Sequence, residues 1–502
     1  MRQVQCGRRG DGQLIGTAPM QAALAGFRKH GLLAALILLT TGCAPHSADI
    51  RPSFDIPATF GSDVAPLPST AGLHWRTFIQ DPQPAALIDA ALANNRDIAV
   101  AAGRVAEARA LYRIQQSPLL PNMTGGVGAA RVRTPADLSI TGSAITSDQF
   151  FSRLSAGWEL DFWGKYDALR DAAREQFLAT REAHDAVATA IVVDLGNRYL
   201  LEREYAERIA LATQSLATRE HSLRIMTRRF EVGSGSKLEV TQAATLLDQA
   251  RTAHAALIQE RDINRNALAL LAGMPIRLDE GSLSSPTVAE IPVGLSSDLL
   301  QFRPDVRAAE LRLKAARANV RAARAAFFPS IALTGAFGTA SAELDGLFRT
   351  GSESWSFTPA ISVPLFDYGR TRGNFDLAEA RQNVAVADYE RTVQSAFRDV
   401  SDALVLRRQL GLQVESLRSM VATARERTRL AQLRYDNGRS AYLEVLDAQR
   451  DLFDVEQRLV QVRRAQFATG LGLYAALGGN FAAAIRDERT MPDAIPVKEI
   501  KP

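Results

Sequence analysis

Few side chains in this chain are spaced to do covalent chemistry. The six histidines, His30, His46, His74, His184, His221 and His254, never fall at a spacing that lets two of them hold one metal ion. The run Gly233-Ser234-Gly235-Ser236-Lys237 has the composition of a phosphate loop. It lacks the G-x-x-x-x-G-K-[ST] spacing and follows a helical pattern rather than a strand, so it reads as a turn. What remains is a pair of carboxylates, Glu444 and Asp447, three positions apart and therefore on one helix face. They open a helical pattern directly after a second glycine turn. Carboxylates there can be solvated first-turn residues that suit the helix dipole. Alternatively, they present concentrated negative charge to whatever faces them. No catalytic residue, cofactor or metal site is expected, and the chain reads as a non-enzyme.

The elements that position this pair are unusually long. From Gly369 to Asn437 there is no proline, and apolar residues recur at helical spacing, among them Tyr389, Val393, Ala396, Val400, Ala403, Leu417 and Val421. One helix of this length extends on the order of 100 Å at about 1.5 Å per residue. A second such stretch runs from Gly164 to Phe230, with Gly196 as its one interior glycine. Each is followed by a glycine turn and a returning helical pattern, Leu238 to Leu271 and Leu443 to Leu477. The returning patterns end at Gly273 and Gly478, a composition suited to helix C-termini.

The two stretches are copies. A constant offset of 205 positions pairs Gly164 with Gly369, Gly233 with Gly438, Leu238 with Leu443 and Gly273 with Gly478. Earlier in each half an offset of 208 pairs Asp97 with Asp305, Arg109 with Arg317 and Pro121 with Pro329. The chain is an internal duplication of units of about 200 residues. The division is a signal peptide at 1–42, a tether at 43–80 and a first repeat at 81–273. A link at 274–299, a second repeat at 300–480 and a polar tail at 481–502 complete it. A helical pattern beginning near Pro84, with Leu87, Ile88, Ala91, Ile98 and Val105 on one face, opens the first repeat.

The leader has Arg28 and Lys29 before the apolar run Leu32–Leu39, which is too short to span a bilayer and has signal-peptide proportions. Met20 is a reasonable alternative start. Thr40-Thr41-Gly42-Cys43 places a small residue before a cysteine, so Cys43 is a lipidation site or an incidental cysteine. Cys6 lies in the leader, leaving no disulfide for the mature chain. The whole chain carries a net charge of +4. The leader's five basic and one acidic residues account for it, so the rest has no basic footprint for nucleic acid.

Between the helical stretches lie two pairs of alternating segments, Met123–Val132 with Phe150–Phe162, and Ile331–Gly338 with Ser354–Leu365. In the second segment Phe150, Leu154, Ala156, Trp158, Leu160 and Phe162 share one face, opposite Arg153, Ser155, Gly157 and Glu159. In the fourth, Trp355, Phe357, Pro359, Ile361, Val363 and Leu365 share one, opposite Ser354, Ser356, Thr358, Ala360 and Ser362. This pattern suits membrane-spanning β-strands or an amphipathic sheet on a soluble core. Four strands cannot close a barrel, which takes about eight, and open edges are not tolerated in lipid. If the strands span a membrane, several chains must share the barrel; three would supply twelve strands and six long helices.

The lipobox-like Gly42-Cys43, the duplicated halves, the strand pairs and the long helices together resemble the TolC-like outer-membrane efflux proteins, in particular their lipidated NodT-type branch. The resemblance is carried by Arg303-Pro304-Asp305, Phe328-Pro329, the run from Val363 to Arg370, and the stretch Tyr435–Ala448. It implies a mainly α fold with four β-strands per chain. It also implies a homotrimer whose twelve-stranded barrel in the outer membrane continues into an α-helical barrel through the periplasm. The implied partners are a periplasmic membrane-fusion adaptor and an inner-membrane transporter of the resistance-nodulation-division or another type. Cys43 then carries palmitate and sorts the chain to the outer membrane.

By the same resemblance, the positions of Glu444 and Asp447 face the pore near its periplasmic constriction, where three copies would bring six carboxylates together. The family often has Asp where Glu444 stands. Tyr435 matches a gate tyrosine. The gate arginine falls at Ser440, with Arg439 one residue earlier. The turns containing Gly233, Ser234, Gly235, Gly438 and Ser440 would face the adaptor. The function implied is an exit duct of a tripartite efflux pump. A type I protein-secretion duct on the same fold and a coiled-coil scaffold without a channel are the alternatives. The short link at 274–299 favours efflux over secretion.

Overall fold

In the computed structural model, the described residues are Ile79 and 81–279, 281–283 and 302–479. The leader, Cys43 and most of the tether, link and tail fall outside them. The chain runs α1 (Pro82–Asn94), α2 (Arg96–Gln116), β1 (Asn122–Thr134), β2 (Ile145–Leu160), α3 (Lys165–Glu231) and α4 (Lys237–Ala272). The second copy runs α5 (Pro304–Ala325), β3 (Ser330–Ser341), β4 (Glu353–Ser362), α6 (Arg370–Asp436) and α7 (Tyr442–Ala476).

The long helices α3 and α6 are each 67 residues, unbroken, about 100 Å at the α-helical rise. Both start from a glycine in the left-handed region, Gly164 at φ 72° and Gly369 at φ 83°. The carboxylate before each start takes orphan backbone donors. Asp161 accepts from the Tyr166 and Asp167 N–H groups at 3.0 and 2.7 Å, and Asp367 accepts from the Thr371 N–H at 2.9 Å. None of the described helices is long and apolar enough to cross a membrane.

Short helices accompany the long ones in two tiers. Along α3 and α6, α2 and α5 pack nearer the sheet, while α4 and α7 pack nearer the turns. The tiers meet end to end at two matching junctions. Gly273, at φ 69°, ends α4 so close to Asn94 that a Cβ would lie 2.6 Å from its carbonyl oxygen. Gly478, at φ 77°, ends α7 just as close to Phe302 and Arg303. A polar side chain spans each joint. The Asn95 amide donates to the Leu271 carbonyl at 2.9 Å, and Arg303 donates to the Ala476 carbonyl at 3.2 Å. At these junctions glycine is required, because any side chain meets backbone.

The first helical pattern, expected to run on from Pro84, is split at Asn95. Its backbone is extended (ψ 131°), and its side-chain oxygen accepts from the Asp97 and Ile98 N–H groups at 2.8 and 3.2 Å. Asparagine here is an N-cap, which propensity along one helix face does not reveal. At the same level sits the main apolar cluster, including Ile88, Val192, Leu195, Leu268, Val400 and Leu473. A polar clasp flanks it: the Tyr199 hydroxyl donates to Asp81 at 2.9 Å, and Arg203 donates to the Asp279 carbonyl at 2.7 Å.

The four strands form one antiparallel sheet in the order β1-β2-β3-β4. The register aligns apolar positions in rows across it: Gly125, Leu154, Phe337 and Trp355; Met123, Ala156, Gly335 and Phe357; Trp158, Leu333 and Pro359. Opposite them lie Thr124, Ser155, Ala336 and Ser356 in one row of small polar residues. The strand bounds differ from the segments legible in sequence: β2 begins at Ile145 rather than Phe150 and ends at Leu160 rather than Phe162. The fourth ends at Ser362, so Val363 and Leu365 belong to the connection into α6.

Candidate functional site

At the end away from the sheet the chain makes two hairpins of one construction. Helix α3 closes with the Ser234 N–H donating to the Arg229 carbonyl at 2.8 Å, across Gly233 at φ 76°. Helix α6 closes with the Arg439 N–H donating to the Arg434 carbonyl at 2.8 Å, across Gly438 at φ 68°. Both are Schellman closures, which need a left-handed residue and so a glycine. The hairpins pack together through Met226, Ala243, Ala431, Tyr442, Val445 and Leu446. This second apolar cluster fixes the tip as one body.

Within that frame the two copies differ in how one equivalent glutamate is held. Glu239 completes a capping box: its carboxylate accepts from the Ser236 N–H at 2.9 Å, while its own N–H donates to the Ser236 hydroxyl at 3.2 Å. Its counterpart, 205 positions on, is Glu444. There the N-cap is Ala441, which has no hydroxyl to complete the box. Glu444 instead reaches back across the hairpin to Arg434, 3.3 Å away. Asp447, one turn further, pairs with Arg450 at 3.4 Å. Both carboxylates border a groove with Arg427, Leu430 and Arg434, and about half of each side chain faces solvent. Their negative charge is therefore available to a ligand or to another copy of the tip, and their ion pairs are weak and exchangeable.

Tyr435 lies at the seam between the hairpins. Its hydroxyl accepts from Arg229 on the other long helix, and its ring packs on Tyr442 with centroids 4.8 Å apart. The Tyr442 hydroxyl in turn is bonded to the Ser222 hydroxyl at 2.5 Å, and burial pushes its pKa above the ordinary tyrosine value. Arg439 is exposed in the turn. The Ser440 hydroxyl is buried, and no described residue bonds it. Gly233, Ser234 and Gly438 are exposed at the outermost point, and Gly235 is half-buried against Arg229. The structure thus gathers Tyr435, Glu444 and Asp447 at one end, each with its own arginine: Arg229, Arg434 and Arg450.

Known proteins carry the same arrangement of helices and strands. The profile of the outer membrane efflux protein family matches residues 87–274 and 295–479. The chain belongs to the outer membrane efflux protein family. A probable efflux pump outer membrane protein, SepC of Pseudomonas putida, is 41% identical over 468 residues, spanning 91% of this chain and 98% of SepC. Outer membrane protein OprJ of Pseudomonas aeruginosa is 37% identical over 463 residues, 90% of this chain and 96% of OprJ. Among solved structures, the open state of the Neisseria gonorrhoeae MtrE outer membrane channel superposes with a TM-score of 0.77. It has 34% identity and covers 88% of this chain and 99% of MtrE. The TolC-like fold expected from the sequence is the fold found, and the family places the chain in the outer membrane and in efflux.

In this member of the outer membrane efflux protein family, the side chains that bond at the tip extend beyond those expected from the sequence. Arg229, Arg434, Ser222 and Tyr442 were missed. The duplication held the signal for the first two, because the 205-residue offset superposes Arg229 on Arg434, each four residues before its glycine.

Proposed function

We propose that three copies of this chain form a passive exit duct, gated at the hairpin end, for small molecules delivered by an inner-membrane transporter and a periplasmic adaptor. The observation that carries this reading is the sheet. Its outer strands β1 and β4 each leave one edge unpaired, and one face carries an apolar band below its charged outer end, with Trp355, Phe357 and Ile361 each more than 60% accessible. In a membrane, unpaired backbone groups cost several kcal/mol each, so the edges must be met by other copies. The apolar rows from Phe150 to Leu160 extend about 33 Å along the strand, or about 25 Å of height at a tilt near 40°, the apolar band of an outer-membrane barrel. Native mass measurement in detergent tests the reading, with a trimer expected; a stable monomer in lipid would refute it.

The gate is read from the exchange at Glu444. The second copy of the hairpin gives up a capping box and gains a free-standing carboxylate that only an ion-pair partner satisfies. Around a threefold axis, Glu444 and Asp447 would form rings of negative charge that favour cations. Tyr435 holds the two hairpins together, Arg439 stands at the rim, and the turns at Gly233–Gly235 and Gly438–Ser440 offer the adaptor its docking points. Cys43 is the proposed site of lipidation and the anchor at the membrane face. We read the chain as having no catalytic centre, with energy supplied by the transporter. The efflux pumps named among the relatives favour this over a protein-secretion duct.

A further inference from the structure

The two unpaired edges of the sheet constrain how one copy meets the next. Strand β1 runs away from the helices and β4 runs back, so β4 of one protomer lies antiparallel to β1 of its neighbour. Facing residues of an antiparallel pair share a side of the sheet. A slip by one would turn the apolar face inward. On the apolar side β1 presents its odd-numbered residues, including Met123, Val127, Arg131 and Arg133. On that same side β4 presents Glu353, Trp355, Phe357, Pro359 and Ile361. If all ten residues of β4 find partners among the thirteen of β1, only two registers keep the sides matched. One sets Glu353 opposite Arg131, the other opposite Arg133. Either way the seam puts a carboxylate against a guanidinium at the outer end of the barrel.

The charges already in place decide between them. Arg131 faces Asp148 of its own sheet and is bonded to it at 3.2 Å. Glu353 and Arg133 are both exposed, and neither has an ion-pair partner among the described residues. The register joining Glu353 to Arg131 would crowd two acids on one arginine and leave Arg133 unmatched. The other gives each of Arg131, Asp148, Arg133 and Glu353 its own partner. We propose that the barrel closes with Glu353 of one protomer opposite Arg133 of the next, an intersubunit ion pair that completes the outer charged row and fixes the seam register. With about 3.3 Å along and 4.8 Å between strands, this register tilts a twelve-stranded barrel by about 45° and the alternative by about 35°. Both fall within the tilt of membrane barrels, so it is charge rather than tilt that selects. This inference rests on the trimeric reading above and deepens it.

Cysteine pairs on the polar side read the register directly. In the proposed register Ala130 faces Ser356 of the neighbour, and in the alternative it faces Ser354. Within one chain these positions sit on opposite edges of the sheet, which are about 14 Å apart, and are offset along the strands besides, too far for a disulfide. Full-length Ala130→Cys/Ser356→Cys, oxidised in outer membranes, is expected to run as a cross-linked trimer on non-reducing gels. Ala130→Cys/Ser354→Cys should cross-link several-fold less, and each single variant reports any link through Cys43. A second arm tests the charges: Glu353→Arg should lower the temperature at which the trimer dissociates, and adding Arg133→Glu should restore it. Preferential cross-linking through Ser354→Cys, or a double charge reversal no better than the single, overturns the register while leaving the trimer standing. A monomer by native mass overturns the trimeric reading and the seam with it.

Discussion

Replacing Tyr435 by Phe removes one hydroxyl and leaves the ring on Tyr442. The hydroxyl accepts from Arg229, so the change breaks the polar clasp between α3 and α6 at the tip. A hydrogen bond to a charged donor contributes about 1.5–3 kcal/mol when protected. Tyr435 is half-buried, and competition from water reduces this to about 1 kcal/mol. If the three tips of a trimer open together, the closed state loses about 3 kcal/mol, slightly more than a hundredfold at 1.4 kcal/mol per tenfold. A gate closed about a thousand to one would then be closed less than about ten to one. Single-channel recording in planar bilayers should show Tyr435→Phe with a markedly larger open fraction than the parent, at unchanged trimer mass. An unaltered open fraction in an intact trimer would mean that the clasp does not hold the closed state. The reasoning from Arg229 to gating would then fail.

Other expectations follow from the same features. Glu444→Gln with Asp447→Asn should lower cation preference in reversal-potential measurements while shifting thermal stability little, since both carboxylates are half-exposed. Asn95→Ala should destabilise by about 1–2 kcal/mol, the usual cost of a lost N-cap, with a lowered melting temperature by circular dichroism. Cys43→Ser should abolish palmitate incorporation and leave channel formation intact. Burial works to raise the pKa of Asp305, but its bonds to Arg303 outweigh that and hold it below the ordinary carboxylate value. Its contribution to stability is therefore complete above the unfolded value, near pH 4. It is lost as pH falls through the lower folded value. Melting temperatures of the parent and Asp305→Asn should differ at pH 7 and converge towards pH 3.

Much of this architecture is written in features that survive without tertiary context. Proline-free runs, paired glycines and the 205-residue offset mark helices whose observed bounds differ from the legible ones by one or two residues. The strands were harder to delimit, because alternation fades in Thr134 and Ile145–Gln149, where pairing alone extends the ladder. At the tip, Tyr435, Glu444 and Asp447 were visible by position, but their partners were not. Arg434 and Glu444 meet only because the hairpin folds back, and Arg229 reaches Tyr435 across 206 positions of chain. The break at Asn95 was illegible for a related reason: the asparagine looks like a tolerated helix residue until its amide is seen to bond Leu271, 176 positions away.

The equal span of α3 and α6 restricts how this duct can change in reach. Each is 67 residues, and each turn marker sits at the same distance from its start. Deleting one residue from one of them would draw its tip in by about 1.5 Å and swing every later side chain by about 100°. The buried stripe would then face outward, and Tyr435 would part from Arg229 on the other long helix. Only insertions that restore the phase, near seven, eleven or eighteen residues, keep the stripes aligned. They must be made in both long helices and in the returning helices beside them. In the proposed assembly, the distance between membrane and adaptor would therefore vary in steps of roughly 10–27 Å rather than continuously. On that reading, a transporter assembly with a wider or narrower gap would have to adjust through the adaptor.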